Sequence, residues 1–256
     1  MADDISEAFF LPELFDIMAT EGRNSVVADG ATPLQGSALV QFEQDVHMIY
    51  APDRMLTAFV GTLDAELADK PDVRADALAF AATELGQRIL RLEIAARQAL
   101  IDDDVDYVAR DVLSEARSAG ADARLGQRLE QVRARIDANE LLELNVSLGL
   151  NTSYAYYRGM MSEDAVFGLS GELLLQLVWE QEPSIRADIE DWIESYFLMA
   201  YQPLEPAEMD AFVSYVATPL AQDFNRAMFR AFDTVFSEIS FQVGKALGRR
   251  LRAEEL

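Results

Sequence analysis

Between Leu220 and Leu247 apolar residues return at almost every third or fourth position. Leu220, Phe224, Met228, Ala231, Val235, Ile239, Val243 and Leu247 make one stripe, and Phe229, Phe232 and Phe236 make a second beside it. This spacing follows the 3.6-residue turn and predicts one long helix over Ala217–Leu247 with contacts on two sides. Thr218 suits its N-cap and Pro219 its first turn, where the missing N–H has no partner to lose. A helix with two apolar stripes is expected to be the most enclosed in a bundle, with its Phe stripes against the Leu85–Leu100 helix or the Trp192 helix. A functional pocket is expected where that packing is incomplete.

The remaining chain reads as shorter helices. Phe9, Phe10, Leu11, Leu14, Phe15 and Met18 form an apolar N-terminal segment, interrupted by Pro12 and closed by Gly22. Residues 22–36 carry Asn24, Asp29, Gly30, Pro33 and Gly36 and are expected to be a loop. Helices are then predicted over Leu39–Ile49, Asp53–Leu67 and Val73–Ala82. The clearest follows, with Leu85, Ile89, Leu92, Ala96 and Leu100 inward and Arg88, Arg91, Glu93 and Gln98 on the outer face. Another ends at Gly120. Leu125–Ile136 and Leu141–Met161 come next, then a flexible stretch 162–172, then Leu173–Trp179, Ile185–Ala200 and Glu208–Val216. Nothing alternates with the period of a strand, and β-branched residues do not cluster, so the fold class is all-α, a multi-helix bundle.

A shift of 135 residues lays Phe80-Ala81-Ala82-Thr83-Glu84-Leu85-Gly86-Gln87 on Tyr215-Val216-Ala217-Thr218-Pro219-Leu220-Ala221-Gln222. Each copy reads as a short helix, a Thr-capped turn and a longer helix. The chain is taken as a single all-helical domain, 1–256, with repeat halves at about 38–120 and 172–256 as an open reading.

Charge narrows the partners. The formal net charge is −24 and the pI near 4.2, a field that repels phosphate backbones, and no basic face offsets it, so nucleic acid is not expected as a partner. No apolar run reaches the roughly 20 residues of a membrane span. There is no cysteine and one histidine, His47. Disulfides, thiol chemistry, ordinary zinc sites and paired Glu-x-x-His di-iron sites are therefore excluded, and no metal or other cofactor is expected.

Candidate chemistry is sparse. Gly168-Leu169-Ser170-Gly171 lacks the spacing of a nucleophile elbow that could use His47. Asp102, Asp104 and Asp106 alternate as in a calcium loop, but Tyr107 stands where the loop glycine must turn and Leu113 where the bidentate glutamate belongs, which favours a helix-capping junction. Asn139, Asn145 and Asn151 recur every six residues, a rotation of roughly 240° per step, so they face three directions. Glu190 with Glu194 and Asp188 with Asp191 could pair for acid/base work, although a solvated acidic face explains them as well. Lys245, Arg249, Arg250 and Arg252 gather at the negative end of the last helix as dipole partners or a small basic contact site. Tyr154, Tyr156, Tyr157 and Arg158 form the most unusual cluster, since three tyrosines within four positions point to more than one side of a helix. The residues taken as ligand or partner contacts are Tyr154, Tyr157, Arg158, Trp192 and Tyr201.

Several segments carry a family resemblance. The helix with Trp192, Tyr196 and Phe197, the elbow Ala200-Tyr201-Gln202-Pro203-Leu204, the helix start at Glu208 and the run Tyr215–Gln222 before the Phe-rich helix resemble an uncharacterised bacterial family of exported, all-helical proteins, a domain of unknown function. Val46-His47-Met48-Ile49-Tyr50, Glu84–Leu90 and Tyr156-Tyr157-Arg158-Gly159 resemble its alphaproteobacterial branch. Members commonly carry glycine after the Thr-Pro step, where this chain has Leu220 and Ala221. The resemblance implies export with removal of a signal, hence a periplasmic or secreted protein, with the cytoplasm as the alternative; the acidic start Met1-Ala2-Asp3-Asp4 fits a trimmed terminus. It implies no activity. The leading expectation is a non-enzymatic helical protein that binds a protein partner or a small apolar ligand between helices. A hydrolase using a carboxylate pair or His47, and a structural or oligomeric envelope component, are the alternatives.

Overall fold

The structure, a computed structural model, describes residues 2–28, 32–119, 123–162 and 170–254. Among them the fold is all-α, with thirteen helices and no strand. The first six are α1 (Ala2–Ala8), α2 (Leu11–Val27), α3 (Gly36–Ile49), α4 (Pro52–Glu66), α5 (Pro71–Ala81) and α6 (Glu84–Ala99). A connecting helix, α7 (Asp103–Ala119), leads to α8 (Arg124–Ala138), α9 (Leu141–Met161), α10 (Gly171–Trp179), α11 (Glu182–Ala200), α12 (Pro206–Val216) and α13 (Pro219–Glu254). The predicted stop at Gly120 and residues 163–169 of the stretch read as flexible lie outside the described residues. No helix among them is long and apolar enough to cross a membrane.

The two sets of six helices correspond one to one. α3 and α10 begin at Gly36 and Gly171, α5 and α12 at Pro71 and Pro206, α6 and α13 at Glu84 and Pro219, each pair 135 residues apart. α5 and α12 are both 11 residues long. Before α2 and α9 stand Phe10 (φ 52°) and Glu140 (φ 54°), the positive-φ non-glycine residues among those described. A left-handed residue turns the chain between two helices without a loop, at a cost of roughly 1–2 kcal/mol. In both halves the next residue, Leu11 or Leu141, is buried and fixes that turn.

Packing repeats with the elements. α1 meets α2, α4 and α5 as α8 meets α9, α11 and α12, and α2 meets α3, α4 and α6 as α9 meets α10, α11 and α13. The last helices also cross over: α6 packs on α11 of the second half and α13 on α4 of the first. One core accordingly joins α1–α5 to α13, through Phe15, Phe42, Phe59, Ala231 and Val235. The other joins α6 to α8, α11 and α12, through Ile89, Val132, Phe197, Tyr201 and Phe212.

The main asymmetry is length. α13 has 36 residues against 16 in α6, and its second half lies along α9 and α3. Close approach to α9 depends on glycine. A Cβ on Gly159 would come within 2.0 Å of Phe241 O, and one on Gly244 within 2.0 Å of Tyr156 O, so the two backbones touch where side chains would otherwise hold them apart.

Two local expectations are corrected. Residues 22–27 are not loop, because α2 runs to Val27 with Gly22 inside it. A Cβ at Gly22 would meet the ring of Tyr50 at 2.1 Å, so this glycine serves packing rather than breaking the helix. Pro12 does not interrupt the N-terminal segment either; it lies in the first turn of α2, where proline is tolerated. Thr83 caps α6 as expected, its Oγ1 accepting from Gly86 N at 2.9 Å, and Thr218 Oγ1 accepts from Ala221 N at 3.4 Å.

Candidate functional site

The crossing of the two halves leaves a cavity of about 340 Å³. α6 presents Leu90, Glu93, Ile94 and Arg97, α11 presents Trp192, Ile193, Tyr196 and Phe197, and α13 presents Met228, Phe229, Phe232 and Phe236. The wall also includes Leu11, Leu14 and Met18 of α2, Leu141, Asn145 and Leu148 of α9, Arg135 of α8 and Asn225 of α13. The Phe stripe, the Trp192 helix and the Leu85–Leu100 helix therefore converge on one space. Phe232 also packs toward the first core, 4.6 Å from Phe59 and 6.1 Å from Phe15 between ring centroids.

Glu93 is the polar centre. The sequence reading set it on the outer face of α6, but it follows Ile89 by four residues and precedes Ala96 by three, which puts it on the buried face. Its carboxylate accepts from Tyr201 Oη at 2.5 Å, and its backbone carbonyl accepts from Tyr196 Oη at 3.1 Å. Burial pushes the Glu93 carboxyl above its ordinary range, while Arg135 and the Tyr201 hydrogen bond pull the other way. Burial and the nearby Glu93 charge raise the hydroxyls of Tyr196 and Tyr201, so both act as donors at neutral pH.

Arg135 lies over Phe197 and Phe212, its guanidinium carbon 5.5 and 5.1 Å from the ring centroids. Its Nε and Nη1 are buried without a hydrogen-bond partner. Buried guanidinium donors are seldom left in this state, because each forfeits its hydration. At the other end Arg97 is held by both Glu21 oxygens, at 2.8–3.1 Å, and sits 5.4 Å from the Trp192 ring. Trp192 stacks on Tyr196 at 5.3 Å. The result is an aromatic-rich cavity with Arg97 held by Glu21 at one end and, at the other, Arg135, whose charge faces Glu93 and two rings but whose Nε and Nη1 have no protein hydrogen-bond partner.

Of the five residues singled out from sequence, Trp192 lines this cavity and Tyr201, fully buried, braces Glu93 behind the wall. The other three lie farther along α9. Arg158 sits over Tyr154 at 5.7 Å and lines a separate groove against α4 and α13, and Tyr157 meets the edge of Tyr156 at 5.6 Å. The sequence reading missed Glu93, Arg97 and Arg135. A signal was present, since Arg135 follows the inward Val132 by three.

The remaining candidates have local roles. His47 is on the exposed face of α3. Asp102 Oδ1 accepts from Asp104 N at 3.0 Å and Asp106 pairs with Arg110 at 2.7 Å, the pattern of a capping junction. Asn139, Asn145 and Asn151 bond Val216 O, Leu141 O and Asp233 Oδ1, three separate directions. Glu194 is not on a solvated face: it is 3% exposed and held by Arg117 and Arg133 at 2.8 and 2.6 Å. Arg249 and Arg250 reach Asp45 of α3 at 3.0 and 2.6 Å. Among the described residues no group of three or more His, Asp or Glu could hold a metal ion.

No family profile, curated protein or solved structure matches the chain.

Proposed function

We propose that the chain is a binding protein whose cavity between the two halves takes a small, mostly apolar molecule carrying one hydrogen-bond acceptor. The observation that carries this reading is Arg135, a half-buried arginine whose Nε and Nη1 are buried with no protein hydrogen-bond partner, at the wall of a mostly apolar cavity rich in aromatic rings. A small carboxylic acid fits this chemistry best: its chain or ring fills the space among Phe229, Phe232 and Trp192, and its oxygens accept from Arg135. A volume of about 340 Å³ is at the small end of ligand pockets, which suits a compact ligand rather than a long acyl chain. The family resemblance favours an exported protein, with the periplasm as the place of binding.

Trp192 reports occupancy directly. In a Trp179→Phe background, titration with 4-phenylbutyrate is expected to change Trp192 emission with saturation, and Arg135→Met is expected to weaken that response by ~10-fold or more, the scale of losing a charge-assisted hydrogen bond. A flat titration against a panel of small aromatic and aliphatic acids would remove this reading.

A further inference from the structure

Among the described residues, α10 has fewer helix neighbours than its counterpart α3. In the first half α3 packs on α2 and also on the second half of α13, whereas α10 packs on α9 and, among the described residues, no further helix lies along it. The helix that would cover it is missing because α6, the counterpart of α13, ends at Ala99. The uncovered side is apolar: Leu177 occupies the position of Phe42, yet Leu177 is 38% exposed where Phe42 is 1% exposed, and Leu173, one turn before it on the same face, is 42% exposed.

Polar residues repeat with the apolar ones. On α3, Gln41 Oε1 accepts from Arg250 at 2.6 Å, and Asp45 accepts from Arg250 and Arg249. The corresponding residues, 135 positions later, are Gln176 of α10 and Glu180, its C-cap. They are exposed and bond each other, Gln176 Nε2 donating to Glu180 Oε1 at 3.0 Å. α10 therefore displays an apolar pair, Leu173 and Leu177, at the positions of Ala38 and Phe42, with amide and carboxylate acceptors where α3 has those that hold an arginine-ended helix, while Gln181 stands at the position of Val46.

We propose that α10 is a docking surface for an amphipathic helix of a partner protein, with an apolar stripe along Leu173 and Leu177 and paired arginines at its C-terminal end against Gln176 and Glu180. The strongly negative charge of the chain favours such a cationic helix end and disfavours an anionic one. Helix-in-groove recognition of this kind takes its affinity from the apolar anchors and its register from the rim charges.

The chain supplies its own probe, a labelled peptide of residues 235–254, which carries the stripe Val235, Ile239, Val243 and Leu247 and the arginines 249 and 250. Titrated with full-length protein and followed by fluorescence anisotropy, it is expected to bind saturably. Leu177→Asp and Glu180→Arg should each weaken binding by ~10-fold or more, and a peptide with both arginines replaced by glutamate should recover affinity for Glu180→Arg. Both substitutions are on an exposed face, and circular dichroism checks that they leave the fold intact. The proposal is overturned if the peptide does not bind, if binding survives both substitutions, or if these substitutions instead abolish self-association or binding to zwitterionic lipid vesicles while the peptide has no effect.

Discussion

Phe80 and Tyr215, 135 residues apart and at the same place in their respective halves, lie face to face with ring centroids 3.9 Å apart and planes 7° from parallel. The contact joins α5 to α12, the two equivalent short helices, and Tyr215 Oη adds a hydrogen bond to Asp76 Oδ2 at 3.2 Å. Equivalent residues that touch each other mark the line about which the two halves are related. The ring contact is expected to couple them energetically. Phe80→Ala and Tyr215→Ala should each cost about 2–3 kcal/mol in urea unfolding, below the range for fully buried rings because both are half-buried. Their double-mutant cycle should show a coupling of ~0.5–1.5 kcal/mol; strict additivity would mean that the stack contributes nothing of its own.

The crossing of α9 and α13 should tolerate no side chain at its contact points. Gly159→Ala and Gly244→Ala place a Cβ against backbone, which cannot rotate away, and each is expected to cost about 1–3 kcal/mol. For a chain of this length that lowers the melting temperature by ~2–4 °C per kcal/mol. A Cβ on Gly61 of α4 would meet nothing within 4 Å, and Gly61→Ala should stabilise by ~0.5–1 kcal/mol through helix preference alone. Thermal melts of the three variants separate close contact from a general effect of replacing glycine.

Glu194 is clasped by two arginines that themselves remain partly exposed. Removing the carboxylate leaves cations that can rehydrate, whereas removing the cations strands a buried anion. Glu194→Leu is therefore expected to cost less than the double replacement Arg117→Ala with Arg133→Ala, which should reach about 3–5 kcal/mol. Urea unfolding at pH 7 gives both values, and the reverse order would contradict the burial of Glu194.

Glu93 should set a pH dependence of defined sign. Its carboxyl is raised above the ordinary value of 4.5, so the folded state holds its proton more tightly than the unfolded state does. The stability this confers is complete below the unfolded value and is lost as pH rises through the higher folded value. Wild-type stability relative to Glu93→Gln is thus expected to fall as pH rises from about 4.5 into the folded range. Unfolding of both proteins across pH 4–8 measures this difference, which cancels the other carboxylates common to both; a rise with pH would contradict the buried position of Glu93.

Helices were legible in the sequence because a 3.6-residue apolar rhythm depends only on which side of each helix is buried. What that side packs against was not. The Phe stripes of α13 read as a two-sided helix, yet nothing in their spacing says that one side belongs to α2 and α4 of the other half. Gly22 misleads for a similar reason, since the space it leaves is filled by Tyr50, distant in sequence. At the site, Trp192 and Tyr201 stand out as large aromatics, while Glu93 and Arg135 are lost among the many charges of the chain, although their spacing from Ile89 and Val132 places them inward. Helical phase is a better guide at these two positions than polar type.

A calorimetric titration of 4-phenylbutyrate into the wild type and into Leu148→Trp, which fills the cavity from α9, tests the central claim most directly. One-to-one binding with a negative heat-capacity change in the wild type, lost in Leu148→Trp while the melting transition remains cooperative, is the expected result. Equal binding by both proteins would place the ligand elsewhere and contradict the cavity as the binding site.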